Sequence, residues 1–107
     1  MLPTSQIAGC SMRIVGRDKL DAFCSRHADA RPWIEAWQHE TASVSWATPR
    51  VIRRFYATAS VLHGNVVIFN VRGNNYRMEV HVAFKVGVVT VLWIGTHGEY
   101  DVRNRRR

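Results

Sequence analysis

The sequence predicts an α+β domain: a short N-terminal strand and two to three helices packed on a C-terminal three-stranded antiparallel meander. Three observations predict it. Apolar residues recur with a helical period in the first half of the chain and with a period of two in the second. Glycine- and asparagine-rich turn chemistry separates the later segments. With 107 residues, 47% of them hydrophobic and 21% charged, the chain has enough apolar content for a single core. A domain of this size buries ~60–65% of its unfolded surface.

Residues 1–11 are polar and contain proline, so a flexible extension is expected there. The domain proper is expected over residues 12–102, followed by a basic tail at 103–107. "MRIV" from Met12 reads as a short strand. "GRDKLDAFCSRH" then places Leu20, Phe23, Cys24 and His27 at i, i+3, i+4 and i+7, one face of a helix. A second helix is expected over "ADARPWIEAWQHETASV", with Asp29 as N-cap, Pro32 in the first turn, and Ile34 and Trp37 inward. "TPRVIRRFY" predicts a third, short helix capped by Thr48, with Pro49 at its first position.

"HGNVVIFNVR" predicts the first strand of the meander, and "GNN" at Gly73–Asn75 a tight turn. The second strand, "YRMEVHVAFK", alternates: Tyr76, Met78, Val80, Val82 and Phe84 face one way. Arg77, Glu79, His81 and Lys85 face the other. After "KVG", the segment "VVTVLWIGTH" is apolar on both faces, as a strand covered on both sides would be.

The net charge is +7, from 15 Lys+Arg against 8 Asp+Glu. Nearly all of that positive charge is arginine, whose guanidinium fork matches phosphate. A polyanion partner, nucleic acid above all, is favoured, because clustered cations displace counterions from phosphates. Other chemistries lack their residues. "HE" at His39–Glu40 has no second His at protease spacing, and no Cys/His pattern suggests a metal site. "NVRGNN" is no phosphate-binding glycine loop, and no serine nucleophile elbow is present. Cys10 and Cys24 form no CxxC motif, and Cys24 is expected as a buried thiol. "IAGC" at Ile7–Cys10 lacks the flanks of a lipoprotein signal, and no run reaches the length of a membrane span. A cytoplasmic protein without metal or other cofactor is expected.

The candidate site lies on the polar strand face, where Asn70, Arg72, Arg77 and Lys85 would meet His97 at one end of the sheet. Cations and an imidazole together suit metal-free RNA cleavage. There a 2′-hydroxyl attacks the adjacent phosphorus, and a base, an acid and donors to the charged phosphorane are required. Tyr100 could stack on a base, orient the nucleotide or assist proton transfer. Glu99 and Asp101 could orient His97 or cap the turn. Arg103 and Arg105 of the tail are expected to grip RNA.

The stretch "VIFNVRGNNYRMEVHVAFKVGVVTVLWIGTHGEYD" resembles the HigB family of bacterial toxins, within the RelE-like superfamily. The likeness rests on a Phe-Asn strand, a basic Gly-Asn turn at Arg72–Asn74, Tyr76 and Arg77, Lys85 and Gly87, and the run from Gly95 through Asp101. More loosely it extends back to Met12. It implies a ribosome-dependent endoribonuclease that cuts mRNA and is held inactive by a cognate helix-turn-helix antitoxin. It also implies that Arg77 binds the scissile phosphate, with His97 and Tyr100 at the reaction centre. Asn75 and Val86 stand where many relatives carry basic residues. RelE itself has lysines at the positions of Ile68 and Asn70 and an arginine at that of His97, so its proton-transfer roles do not carry over. The alternatives are a non-catalytic RNA- or ribosome-binding module of the same fold and a protein-targeting toxin.

Overall fold

A computed structural model describes residues 12–43 and 46–105. The expected flexible extension, residues 1–11, lies outside the described residues, as do Arg106 and Arg107. The elements in chain order are β1 (Arg13–Val15), α1 (Arg17–Arg26), a 3-10 turn (Ala28–Ala30), α2 (Arg31–Ser43), α3 (Pro49–Phe55), β2 (Ser60–Leu62), β3 (Val66–Val71), β4 (Tyr76–Ala83), β5 (Val88–Thr96) and α4 (His97–Arg105).

The sheet has five strands in the order β1-β5-β4-β3-β2, one more than the expected N-terminal strand and three-stranded meander. The meander β3-β4-β5 is present as expected, and two short strands extend it. β1 pairs parallel to the start of β5, and β2 pairs antiparallel with β3. "HGN" is not part of a strand. Gly64 (φ 78°) and Asn65 (φ 62°) turn the chain in the left-handed region, which glycine and asparagine tolerate best. That turn converts the expected strand start into a hairpin. In the next turn the positive φ values fall on Arg72 (51°) and Gly73 (68°), not on the asparagines.

The helices form where their apolar spacing predicts. Gly16 enters α1 with φ 99°, and a Cβ there would meet Val91 at 3.1 Å. Leu20, Phe23 and Cys24 of α1 are buried, as are Ile34, Trp37 and Thr41 of α2. Thr48 and Pro49 start α3 as expected, burying Ile52. These side chains close on Val67, Phe69, Val71, Met78, Val80 and Val82, the apolar face of the sheet. Burial raises the Cys24 thiol above its ordinary pKa, which suits an inert thiol rather than a nucleophile.

Asp29 does not cap α2. Its carboxylate accepts from the Tyr76 hydroxyl at 2.7 Å and from Arg72 Nη1 at 3.2 Å, tying the helical layer to the β3–β4 turn. The Tyr76 hydrogen bond, reinforced by the Arg72 charge, holds the Asp29 carboxyl below its usual range. A lowered folded-state pKa contributes stability above the ordinary aspartate value and loses it as pH falls through the lowered one. Asp29→Asn is therefore expected to flatten the acid limb of a stability-versus-pH curve measured by denaturant unfolding; an unchanged limb would remove this contact from the fold's acid sensitivity.

The largest difference from expectation is at the end of the chain. β5 stops at Thr96, and residues from His97 form α4 instead of a strand end and basic tail. Thr96 and Glu99 make a capping box: Glu99 Oε1 accepts the Thr96 N–H at 2.8 Å, and the Glu99 N–H donates to Thr96 Oγ1 at 3.1 Å. Helix α4 lies back across the sheet face that the sequence left open. Glu79, expected on a solvated surface, is consequently 5% exposed, with Arg103 Nε at 3.4 Å from its carboxylate. Trp93 is covered by Tyr100 (centroids 6.1 Å apart) and by the Arg103 guanidinium (5.2 Å). The sheet is therefore sandwiched, with α1–α3 on one face and α4 on the other, in agreement with the two-sided apolarity of β5.

Candidate functional site

The β3–β4 turn and the start of α4 meet because β4 and β5 are antiparallel neighbours with Tyr76 opposite Thr96 and Arg77 opposite Gly95. The turn that precedes Tyr76 and the helix that follows Thr96 must therefore lie at the same sheet end. The His97 N–H donates to the Asn75 carbonyl at 3.0 Å and fixes that approach.

Asn74 is the residue on which the site converges. Arg77 Nη2 donates to Asn74 Oδ1 at 2.7 Å, and Arg77 Nη1 to the Asn74 carbonyl at 3.4 Å. His97 Nδ1 lies 3.3 Å from that same carbonyl. On the other side of the ring, His97 Nε2 is 3.2 Å from Asp101 Oδ2, one helical turn on. Both ring nitrogens thus face oxygen acceptors, and a ring can donate to both only when it carries both protons. His97 remains 40% exposed and Asp101 51%, so the pair can open to a ligand. The Arg77 guanidinium stands 6.0 Å from the centre of the Tyr100 ring, at the outer reach of a cation–π contact.

Arg77, His97 and Tyr100 are brought together, and Asn70 sits opposite Arg77 in the β3–β4 register. Arg72 borders the cluster but is ion-paired with Asp29. Lys85 is elsewhere, contrary to the expectation that it shares a sheet end with His97. It follows β4 in the turn to β5, two residues past Ala83, which at ~3.3 Å per residue is itself about 20 Å along the strand from Arg77. A period of two assigns a face but not an end. Arg103 is engaged with Glu79 and Trp93, whereas Arg105, in the last turn of α4, is exposed.

Asn74 is a positioning group that residue-type reasoning did not select, whereas Asp101 is one of the two carboxylates it left open as orienting His97. The signal that decides for Asp101 over Glu99 was present in the sequence. Thr96-x-x-Glu99 is a capping box, and a helix starting at His97 puts Asp101 four residues on, on the same helix side. Replacing Thr96 with alanine is expected to cost about 0.5–2 kcal/mol through loss of the cap, measured by chemical denaturation. It is also expected to disorder His97 before the rest of the domain, because α4 presents it. An unchanged stability would mean that the box does not hold this helix end.

No group of His, Cys, Asp and Glu among the described residues could hold a metal ion. No helix among them is long and apolar enough to cross a membrane.

A small mixed sheet with helices on both faces and a basic, imidazole-bearing cluster at one sheet end is an arrangement suited to a polyanionic partner. Residues 30–103 match the family model of HigB toxins, described as the RelE-like toxic component of a toxin–antitoxin system, and the chain belongs to that family. An antitoxin partner follows from that membership. No curated protein matches the chain.

Proposed function

We propose that the protein is a metal-independent endoribonuclease that cleaves mRNA on the ribosome by attack of a 2′-hydroxyl on the adjacent phosphate. The observation that carries this reading is the convergence of Arg77 and His97 on Asn74 beside Tyr100. It sets a charge-assisted phosphate donor next to a proton carrier on an exposed sheet end.

In this mechanism the 2′-oxygen forms a bond to phosphorus as the bond to the 5′-oxygen breaks, leaving a 2′,3′-cyclic phosphate and a 5′-hydroxyl. The proton lost from the 2′-oxygen and the proton gained by the 5′-oxygen balance. His97 serves one of these transfers, for which imidazole is suited near neutral pH. Arg77 donates to the non-bridging oxygens, where negative charge grows. Asn74 and Asp101 position the two, and Tyr100 stacks on or orients the nucleotide. Glu99 is committed to the helix cap and takes no part.

RNA contact is assigned to Asn70 and Arg72 beside the cluster, with Arg105 and Lys85 further out and Arg103 where α4 crosses the sheet. Binding to ribosomes should weaken with added salt through counterion release. Arg105→Gln is expected to lower the slope of log affinity against log salt by about one without unfolding α4, since Arg105 makes no packing contact comparable to that of Arg103. An unchanged slope would remove Arg105 from the RNA contact.

The test of the proposal is cleavage of ribosome-bound mRNA by the purified protein, read by primer extension. Discrete cleavages dependent on the protein support it. One observation favours a second reading: both His97 nitrogens are already occupied by Asn74 and Asp101. A non-catalytic RNA- or ribosome-binding module would retain such a closed arrangement, and would stall translation without producing new mRNA ends.

A further inference from the structure

β5 is flanked on both sides only over its first residues. β1 runs along Val88–Thr90, while β4 follows the other edge as far as Thr96. From Leu92 to Thr96 the outer edge has no neighbouring strand among the described residues. The segment "LWIGT" contains none of the charges or prolines that commonly guard an exposed edge. It also includes a bulge: Glu79 pairs with Trp93 and Val80 with Val91, leaving Leu92 as the extra residue, 40% exposed.

This edge lies at the bottom of a trough between α1 and α4. A cavity of about 240 Å³ near Lys19 and Leu92 and a larger one of about 830 Å³ near Val102 and Arg103 are both lined by Arg26, Trp93 and Ile94. The trough is apolar along Leu92, Ile94 and Val102, with Val102 43% exposed, and Lys19, Arg26 and Arg103 supply cations along its walls. Its one acidic lining residue, Glu99, already accepts the Thr96 N–H.

We propose that this trough is the docking site for an extended, acidic segment of the antitoxin, which adds a strand to β5 along Leu92–Thr96. An open strand edge presents alternating N–H and C=O groups. A peptide backbone satisfies both at the spacing of a strand, whereas the donors of RNA, its 2′-hydroxyls and base edges, do not repeat at that spacing. Alternate side chains of the incoming strand would lie on the apolar floor, and carboxylates would face Lys19 and Arg26. The charge complement follows from the net +7 of the chain. Gly98 and Glu99 line the trough and adjoin His97, so an occupied trough sets the antitoxin beside the Asn74 cluster and obstructs its approach to RNA. The inference rests on membership of the toxin–antitoxin family and not on the nuclease reading.

The experiment uses the full chain and the antitoxin co-expressed from the same operon. Hydrogen exchange of the complex is expected to show slowed amides within Leu92–Thr96 relative to the toxin alone. The double variant Lys19→Glu, Arg26→Glu is expected to bind the antitoxin at least about tenfold more weakly, because rim charges are reversed. It should keep wild-type circular dichroism and, in isolation, wild-type mRNA cleavage. Unslowed amides on this edge together with undiminished affinity would overturn the proposal. Lost cleavage or ribosome binding with undiminished antitoxin affinity would assign the trough to RNA and equally overturn it. A wild-type toxin that cuts no mRNA, but whose antitoxin affinity falls as predicted in the double variant, would sink the nuclease reading and support this one.

Discussion

Replacing His97 with alanine is expected to lower cleavage of ribosome-bound mRNA by ~10²–10⁴-fold, the usual worth of a positioned proton carrier. Ribosome binding should survive, because the imidazole sits among acceptors and supplies little of the protein's positive charge. Folding should survive as well. His97 is partly exposed, and α4 is started by the Thr96–Glu99 box, not by the ring. Circular dichroism and a ribosome-pelleting assay separate the three effects. Wild-type cleavage by the folded variant would show that the start of α4 is not the reaction centre.

Arg77→Ala is expected to act through a different route. Loss of one donor to a developing oxyanion costs ~10²–10³-fold in rate, and Arg77 also contributes to holding the ground-state phosphate. Both binding and cleavage should therefore fall, and Arg77→Lys should recover part of the binding while failing to restore the forked hydrogen bonds. The Asn74 contacts add a consequence. Without Arg77, Asn74 loses its side-chain partner at 2.7 Å, so the turn loosens and His97 loses part of its support. The Arg77 and His97 effects should accordingly be non-additive in the double variant, since both act through one turn. Growth inhibition lost in Arg77→Ala but kept in His97→Ala would favour the binding-module reading.

Much of this was legible in the sequence because local rules and the fold agree. The helical faces at Leu20–Cys24 and Ile34–Trp37, the Thr48–Pro49 start and the alternation of β4 all follow from period and turn chemistry. The pairing of Arg77 with His97 followed from face assignment together with the family resemblance. What failed were questions of end and cover. Lys85 shares a face with Arg77 but stands beyond the far end of β4, since strand periodicity carries no information about distance along the strand. Glu79 looked solvated because nothing in β4 itself reveals that α4 returns across it. The short strand β1 was legible at "MRIV", but β2 is only three residues, too short for a period to declare itself, and exists through pairing with β3. The helical start at His97 was encoded in Thr96-x-x-Glu99, yet the preceding apolar run and the basic end of the chain gave the stronger local impression of a strand followed by a tail.

The central claim is that RNA is cut by its own 2′-hydroxyl under the influence of His97 and Arg77. The most direct measurement is cleavage of ribosome-bound mRNA carrying a single 2′-deoxy nucleotide at the mapped scissile position, with product ends analysed on the unmodified message. The mechanism predicts that the substitution abolishes cutting at that phosphate, and that the unmodified message yields a 2′,3′-cyclic phosphate and a 5′-hydroxyl. Undiminished cutting at the 2′-deoxy site, or products bearing a 5′-phosphate, would contradict it.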